Sequence, residues 1–586
     1  MTGLPSGRLV RRAAALAAAV SLCSLSIGSM EGASADKRKP AKQLELQVLS
    51  INDFHGNLEP IPATSSSGRV NQTPAGGVEF LSTHLDLLRD QAEDRGAESV
   101  TVAAGDLIGA SPLLSAAFHD EPTIEAMNQV GLEVASVGNH EFDEGWRELV
   151  RMQRGGCLPD GDGADNQNSC PDPEEPFRGA DFQYLAANVF HVDSGRNVLP
   201  AVEIKKYGKT EVAFIGMTLE DTPNIVTKAG VEGLEFTDEV ETANALVADL
   251  KDDGVETIVT LIHEGGFPAD PTAFNSCPGI SGPIVDINAG LSAEIDAVIT
   301  GHTHQGYNCA LPDPEGNERL VTSAFSFGRL VTEVDLTIDT KTGDAQRDLT
   351  TANNTIVTRD VAKDGVLTAL IAKHKELVAP IANEVIGHLS TPSVTRTADD
   401  SAESALGNLV ADAQKADASL LEGGAAPEIA FMNPGGIRAD LLANAAGEVT
   451  YEAAFTTQPF NNFDVAMDMT GAQVLALLEQ QWSGVNQGSP KVLQVSGIEY
   501  TWDQSNAAGA KVVPGTVLVN GEPLDQARTY RVTANSFLSD GGDGFSVFAD
   551  ATNKYFGGLD IDALAAFLQA NDPYTPVAQD RIDVQP

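Results

Sequence analysis

A chain of 586 residues is longer than one hydrophobic core organises, so two large domains or more are expected. Its 37 basic residues face 83 acidic ones, a formal charge of −46. So acidic a surface repels nucleic-acid backbone and anionic lipid, which argues against both as partners and requires any anionic small substrate to find local positive charge in bound metal ions or a few placed arginines.

The first 35 residues stand apart. Arg8, Arg11 and Arg12 form a basic start, Ala13 to Ile27 is apolar, and Ala33-Ser34-Ala35 offers a small-residue cleavage pattern, so residues 1–35 are expected to be a secretory signal cleaved near Ala35. The apolar run is shorter than the ~20 residues that a membrane span needs. Arg11-Arg12 leaves the twin-arginine route open beside the general one. Cys23 lies in this segment without a small residue before it, which speaks against a lipid-anchored cysteine. The mature chain keeps 34 basic and 82 acidic residues, a formal −48. It also keeps Cys157, Cys170, Cys277 and Cys309, which in an exported chain read as two disulfides; of three possible connectivities the sequence-local pairing Cys157–Cys170 with Cys277–Cys309 is favoured.

Residues 36–345 alternate short β-type runs with helical ones, such as a helix over Glu79 to Leu88 and another over Glu239 to Leu250, the pattern of a layered α/β domain. Five strand-like runs end in Asp, His or Asn: Val48 to Ile51 before Asn52-Asp53-Phe54-His55-Gly56, Val100 to Ala103 before Gly105-Asp106, Glu133 to Val137 before Gly138-Asn139-His140-Glu141-Phe142-Asp143, Ile258 to Ile262 before His263-Glu264, and Ala297 to Ile299 before Gly301-His302-Thr303-His304. The carboxyl ends of strands are where open α/β sheets keep their chemistry. Two loops interrupt the pattern. Residues 155–180, rich in Gly, Asp, Pro and Asn, read as a stapled surface excursion; within it Asp160 to Asn166 is like a calcium loop, but Ala164 stands at the fifth position and no acidic residue closes the motif. The second excursion, Gly265 to Pro283, follows His263 directly.

Residues 341–360 are polar, without apolar period, and are expected to be a strand-edge tail and linker. Leu367, Leu370, Ile371, His374, Leu377 and Val378 then fall at helical spacing, so 346–384 is taken as linker and linking helix, the helix covering Asp364 to Val378. The remainder, 385–586, restarts with a helix over Ser404 to Ala418, strands near Glu428 to Met432 and Val465 to Met469, and a helix over Gly471 to Gln480, a second α/β domain. No sorting motif follows it, which favours release over wall attachment.

Asp53 and His55 are two residues apart, which puts both side chains on one face of an extended chain where they can share one ion. Asp106 has two carboxylate oxygens and is the natural bridge to a second ion, which Asn139, His263 and His302 complete, while His304 returns to the first. Mixed Asp, His and Asn ligation suits divalent Zn, Mn, Fe, Co or Mg without selecting among them. Two such ions clamp a phosphoryl group and supply a hydroxide nucleophile at neutral pH.

These five motifs, in this order, resemble those of the calcineurin-like metallophosphoesterases, and with the second domain the chain resembles the 5'-nucleotidase family, including the periplasmic UDP-sugar hydrolases, over residues 44–586. The resemblance implies an αββα metallophosphatase sandwich joined by a helix to a C-terminal α/β substrate-binding domain. It implies one metal on Asp53, His55, Asp106 and His304 and another on Asp106, Asn139, His263 and His302, with His140 catalytic and Asp143 orienting its ring. The family varies at the position of His304. In the second domain Asn433-Pro434-Gly435-Gly436-Ile437-Arg438 is similar to a family stretch in which Asn433 meets the nucleotide and Arg438 the phosphate, with Pro434 where Gly is frequent. Phe460 and Phe537 match the rings that sandwich the base, Asp543 the ribose carboxylate, and Arg396 a phosphate-binding arginine. The expected activity is hydrolysis of 5'-nucleotides by a monomer or homodimer without stable membrane association. Alternatives on the same site are 2',3'-cyclic nucleotide or UDP-sugar and other nucleotide pyrophosphate hydrolysis. Outside that class stands a non-catalytic extracellular nucleotide-binding protein, which would lack the metal ligands, and the sulfur-oxidation hydrolases of similar fold would lack the base-stacking rings.

Overall fold

The computed structural model describes residues 43–586, apart from 64, 160–167 and 172–173. The signal segment and the calcium-like Asp160 to Asn166 lie outside the described residues. Lys42–Pro586 forms one compact unit.

Two six-stranded sheets lie face to face. The first has the order Thr351–Ile356, Leu330–Asp339, Gln43–Ile51, Glu98–Ala104, Val134–Ser136, Gln183–Leu185; the second runs Gly306–Pro312, Glu318–Ala324, Ala297–Thr300, Thr257–His263, Thr210–Thr218, Val202–Tyr207. Parallel pairing joins Gln43–Ile51 to Glu98–Ala104 to Val134–Ser136 in the first, and Thr210–Thr218 to Thr257–His263 to Ala297–Thr300 in the second. Strands covered on both faces must be apolar on both, and these are. Leu46, Val48, Val100 and Val102 meet Val212, Phe214, Val259 and Leu261 between the sheets. The alternate residues Leu49 and Ile51 face the helix Val78–Arg95, while Ile258 and Ile262 face Glu239–Asp252 and Pro283–Gly290. Helices outside and sheets inside give the αββα sandwich.

The helix Val78–Arg95 runs seven residues past the expected Leu88, because its last two turns are polar and solvent-facing and it ends only where Gly96 adopts a left-handed φ of 75°. The polar segment after 341 is not all linker: Thr351–Ile356 pairs antiparallel with Leu330–Asp339 as an edge strand, where one solvated side removes the need for apolar residues. The cysteines are joined as Cys157–Cys170 and Cys277–Cys309, the second tying the excursion after His263 to the edge strand Gly306–Pro312.

The helix Gly365–Ala382 carries the chain onward, burying Leu367, Ile371, His374 and Val378. It does not pack on one half alone. Its neighbours are Leu113–Ala116 and Glu121–Gln129 on one side and Tyr451–Thr457 on the other, so a single apolar core runs from Leu49 through Ile371 to Leu406, Leu441 and Leu568. Beyond it a five-stranded sheet has the order Gln494–Ser496, Ile429–Met432, Thr529–Asn535, Phe463–Thr470, Thr552–Leu559. Its adjacent parallel strands Ile429–Met432 and Thr529–Asn535 deliver Asn433 and Asn535 to one edge. The helix Gly471–Gln480 starts from a capping box between Thr470 and Gln473. No helix among the described residues is long and apolar enough to cross a membrane.

Asp364 caps the linking helix. Its Oδ1 accepts from the amides of Val366 at 2.7 Å and Leu367 at 3.2 Å, and its Oδ2 accepts from the Ser82 hydroxyl at 2.8 Å. Burial opposes ionisation of Asp364, but these bonds outweigh it and hold the carboxyl below its usual range. Asp364→Ala is expected to cost about 1–2 kcal/mol at neutral pH. A depressed folded-state pKa gives stability that is present above the unfolded pKa and lost as pH falls through the folded one, so the Tm gap between wild type and variant should close on acidification.

Candidate metal and substrate site

Two turns form the base of the site. Ile51 lies opposite Ala103, and this parallel register brings the Asp53 amide to the Gly105 carbonyl at 3.0 Å and the His55 amide to the Asp106 carbonyl at 3.0 Å. Asp53, His55, Asp106, His302 and His304 all hold left-handed backbone, with φ of 50°, 47°, 51°, 70° and 54°. Such conformations cost on the order of 1–3 kcal/mol each outside glycine and persist only where neighbours over-determine them. Those neighbours are visible. The Phe327 amide donates to the Asp53 carbonyl at 2.8 Å, the His302 amide to Asp53 Oδ1 at 3.0 Å, and the His140 amide to Asp106 Oδ1 at 2.9 Å. Asn52 donates to Asp53 Oδ2 at 2.6 Å and accepts from the Ala324 amide at 2.7 Å. Gly138 is required by close approach: a Cβ there would lie 2.2 Å from Asp106 Oδ1.

The donor atoms of Asp53, His55 and His304 all lie within 4.8 Å of one another, as do those of Asp106, His263 and His302. His55 Nε2 is 3.1 Å from His304 Nε2, which is 3.3 Å from Asp53 Oδ1; Asp106 Oδ2 stands 2.9 Å from His263 Nε2 and 3.6 Å from His55 Nε2, between the two groups. Asn139 Oδ1 is 3.0 Å from His302 Nδ1. His55 Nδ1 faces the Gly109 carbonyl at 2.9 Å and His263 Nδ1 the Ala104 carbonyl at 2.7 Å. A carbonyl only accepts, so each Nδ1 carries a proton and each Nε2 faces inward, toward the Asp106 carboxylate. His263 Nε2 is buried and makes no aligned hydrogen bond. Imidazoles, carboxylates and one amide that converge on one space are a donor set that divalent cations would satisfy.

Burial holds the rings of His55 and His304 well below their ordinary pKa and takes His302 to about 3, so these rings are neutral donors. Burial also lowers His263, but the Asp106 carboxylate outweighs it and raises the ring to about 10. Protons and cations compete for that lone pair, which makes metal affinity pH-dependent. His140 adjoins the ligands, one of its ring nitrogens within 4.8 Å of donor atoms of His55 and Asp106, and its Nδ1 is 2.8 Å from Asp143 Oδ2; burial lowers its pKa, Asp143 and Asp106 raise it by more, and the net upward shift favours imidazolium.

The second half closes over this centre. A cavity of about 200 Å³ is bordered by Asn139, His140 and His302 from the first half and by Asn433, Arg438, Phe460, Phe537 and Asp543 from the second. The Phe460 ring stacks on His140 at 5.7 Å between centroids and lies 5.8 Å from the Arg438 guanidinium. Asn433 Nδ2 donates to Asp543 Oδ2 at 2.9 Å and accepts through Oδ1 from Asn535 Nδ2 at 3.0 Å. Arg396 does not border the cavity; it donates to the carbonyls of Ile437 at 2.7 Å and Arg438 at 2.9 Å and so braces the Arg438 segment from behind.

Two residues of the site escaped the sequence reading. Lys491 pairs with Asp543 Oδ1 at 2.6 Å inside the cavity, and as a lone lysine in a Gly/Ser/Pro loop it carries no signal of that role. Glu141, buried, accepts from the amides of Asp106 at 2.9 Å, Leu107 at 2.8 Å and Gly138 at 2.6 Å, stapling the Gly-Asn-His turn to the Gly-Asp turn; its place inside the hexapeptide Gly138 to Asp143 was the available signal.

Residues 46–306 match the model of the calcineurin-like phosphoesterase family and residues 385–550 that of the 5'-nucleotidase C-terminal domain. The chain is similar to a cell wall protein of Listeria monocytogenes, Lmo0130, with 33% identity over 87% of this chain and 65% of that one. It is also similar to the endonuclease YhcR of Bacillus subtilis, with 31% identity over 88% of this chain and 39% of that one. It therefore spans less than two thirds of the length of either relative. Among solved structures it is similar to a 5'-nucleotidase precursor of Thermus thermophilus, with a TM-score of 0.73 and 26% identity over 93% of this chain and 100% of that one.

Glu141→Ala leaves three buried amides without an acceptor, at about 1 kcal/mol or more each. Although Glu141 is no ligand, the variant should melt at lower temperature and retain less metal per chain by elemental analysis. Wild-type metal content at an unchanged Tm would show that the staple is dispensable.

Proposed function

Because the chain belongs to the 5'-nucleotidase family, with its calcineurin-like phosphoesterase and C-terminal nucleotidase domains, we propose that it is an exported dinuclear-metal phosphohydrolase releasing phosphate from 5'-nucleotides. The observation that carries this reading is the cavity bordered by His140 and the candidate ligands Asn139 and His302 on one wall and by Arg438, two phenylalanines and Asp543 on the other.

Asp53, His55, Asp106 and His304 are assigned to one divalent ion and Asp106, Asn139, His263 and His302 to the other. When bound, the ions supply Lewis acidity toward the phosphoryl oxygens and a nucleophile at neutral pH. The chain's own groups do the rest. Arg438 meets the phosphate, and as a planar fork it fits two phosphate oxygens at once. His140, held by Asp143 in one tautomer and biased toward its charged form, donates to the phosphoryl group as negative charge grows in the transition state. Phe460 and Phe537 stack the base, and stacking tolerates any base because every base presents a π-face. Asp543 accepts from the ribose diol, with Asn433 and Lys491 fixing its two oxygens. The negative surface repels the substrate and this cluster of cations and arginine draws it in.

Export is supported by the basic and apolar start, by the two disulfides and by the cell wall location in the name of one relative. The name of another, an endonuclease, supports a second reading in which the same centre cleaves a phosphodiester.

If the two rings stack the base, Phe537→Ala should cost ~1–3 kcal/mol in nucleotide binding and leave p-nitrophenyl phosphate hydrolysis unchanged, since that substrate never fills the slot. Asp543→Ala should likewise penalise ribonucleotides more than substrates without a diol. Initial rates on a panel of nucleoside monophosphates, a cyclic nucleotide, a dinucleotide and the aryl phosphate decide it. Equal losses on nucleotide and aryl phosphate would reduce the assignment to a phosphoesterase without base recognition.

A further inference from the structure

Around the loop that carries Phe460, several buried side-chain oxygens have no hydrogen-bond partner. Residues 458–462 join the helix Tyr451–Thr457 to the strand Phe463–Thr470. At the far end of this loop Asp464 is fully buried, and neither Oδ1 nor Oδ2 has a hydrogen-bond partner. Asp560, the first residue of the helix Asp560–Ala570, is likewise buried with Oδ1 unpartnered. At the near end Gln458 is buried, its Nε2 3.4 Å from Asp560 Oδ2 and its Oε1 without a donor.

Strand pairing explains why these residues meet. Phe463 lies opposite Leu559 and the Asp560 amide donates to the Asn462 carbonyl at 2.8 Å, which sets Asp464 diagonally across from Asp560. Between Phe463 and Val465 the register shifts, which sets Asp464 opposite the Gly557-Gly558 stretch, where Ser419 and Leu420 pack too closely on Gly557 to admit a side chain. Behind those glycines Asp417 caps a short helix through Ser419, whose hydroxyl accepts from the Gly558 amide at 2.7 Å. Burial, then Asp560, then Asp417 act on Asp464, and all three disfavour its charge; no lysine, arginine or histidine offsets them.

An interior carboxylate without donor or counter-charge is among the most costly groups a protein can hold. The unpartnered atoms at this place are all oxygens. Oxygen donors without nitrogen or sulfur are the coordination preference of hard cations and not of zinc-like ions. We propose that Asp464, Asp560 and Gln458 hold a hard divalent cation of the calcium class, distinct from the dinuclear centre, that pins both ends of the Phe460 loop. Resting on the nucleotide reading above, the cation then orders the base-stacking ring and raises affinity for nucleotide without entering the chemistry.

The test uses the full chain loaded with manganese at its catalytic centre and titrated with calcium chloride, with binding followed by calorimetry and stability by melting. The expected result is about one further calcium per chain and a calcium-dependent rise in Tm, both lost in Asp464→Asn and in Asp560→Asn. Calcium should also lower the KM for 5'-AMP several-fold in the wild type alone and leave p-nitrophenyl phosphate unaffected. Calcium uptake equal in wild type and both variants would overturn the site. So would a wild-type Tm indifferent to calcium beside an Asp464→Leu variant of equal or greater stability, because the carboxyls would then be protonated and replaceable by an apolar group. Absence of any nucleotide turnover, with calcium binding intact, would instead count against the nucleotide reading and leave the cation site standing.

Discussion

The catalytic half depends on the register between two neighbouring parallel strands. With Ile51 opposite Ala103, the Asn52–Gly56 and Gly105–Asp106 turns lie side by side and exchange backbone hydrogen bonds, and those bonds hold Asp53, His55 and Asp106 in left-handed conformations that none of them favours alone. A slip of one residue would turn the donor atoms away from one another. The second sheet must then arrive at the right depth. It does so because its apolar face interdigitates with that of the first, placing His263, His302 and His304 at the same end as Asp53 and Asp106. Strain, sheet packing and metal affinity are therefore one problem: the backbone cost at these turns is tolerable because two sheets and the Glu141 staple leave the chain no cheaper arrangement.

The second half solves substrate recognition by similar means. Asn433 and Asn535 stand at the ends of adjacent parallel strands, and Asn433 and Asp543 are joined by a hydrogen bond. The helix Gly365–Ala382 holds the halves together through a continuous apolar core rather than a flexible tether. That continuity is what brings the Phe460 ring against His140 and lets residues of both halves border one small cavity.

Much of the candidate ligand cluster was legible because Asp, His and Asn at strand ends leave local marks: an apolar run, then a short turn with one of those residues. The helix Gly471–Gln480 was equally plain, since its capping box is written in Thr470 and Gln473. Residues whose role depends on tertiary environment were not legible. Lys491 reads as a loop lysine until Asp543 is folded against it. Asp464 lies one residue before the strand expected over Val465 to Met469 and carries no sequence mark of its burial. Thr351–Ile356 lacks apolar period because edge strands do not need one. Arg396 matched a phosphate-binding position in sequence yet faces the carbonyls behind Arg438, a distinction of side-chain direction that spacing does not encode.

Everything proposed for catalysis turns on metal-dependent chemistry at a centre that shares Asp106. The most direct measurement counts metal by elemental analysis and phosphate released from 5'-AMP on the same sample, before chelation, after it, and through stepwise return of a divalent ion. Release is expected to vanish when the metal is removed and to return in full as the second equivalent per chain binds. Undiminished phosphate release from metal-free protein would contradict it.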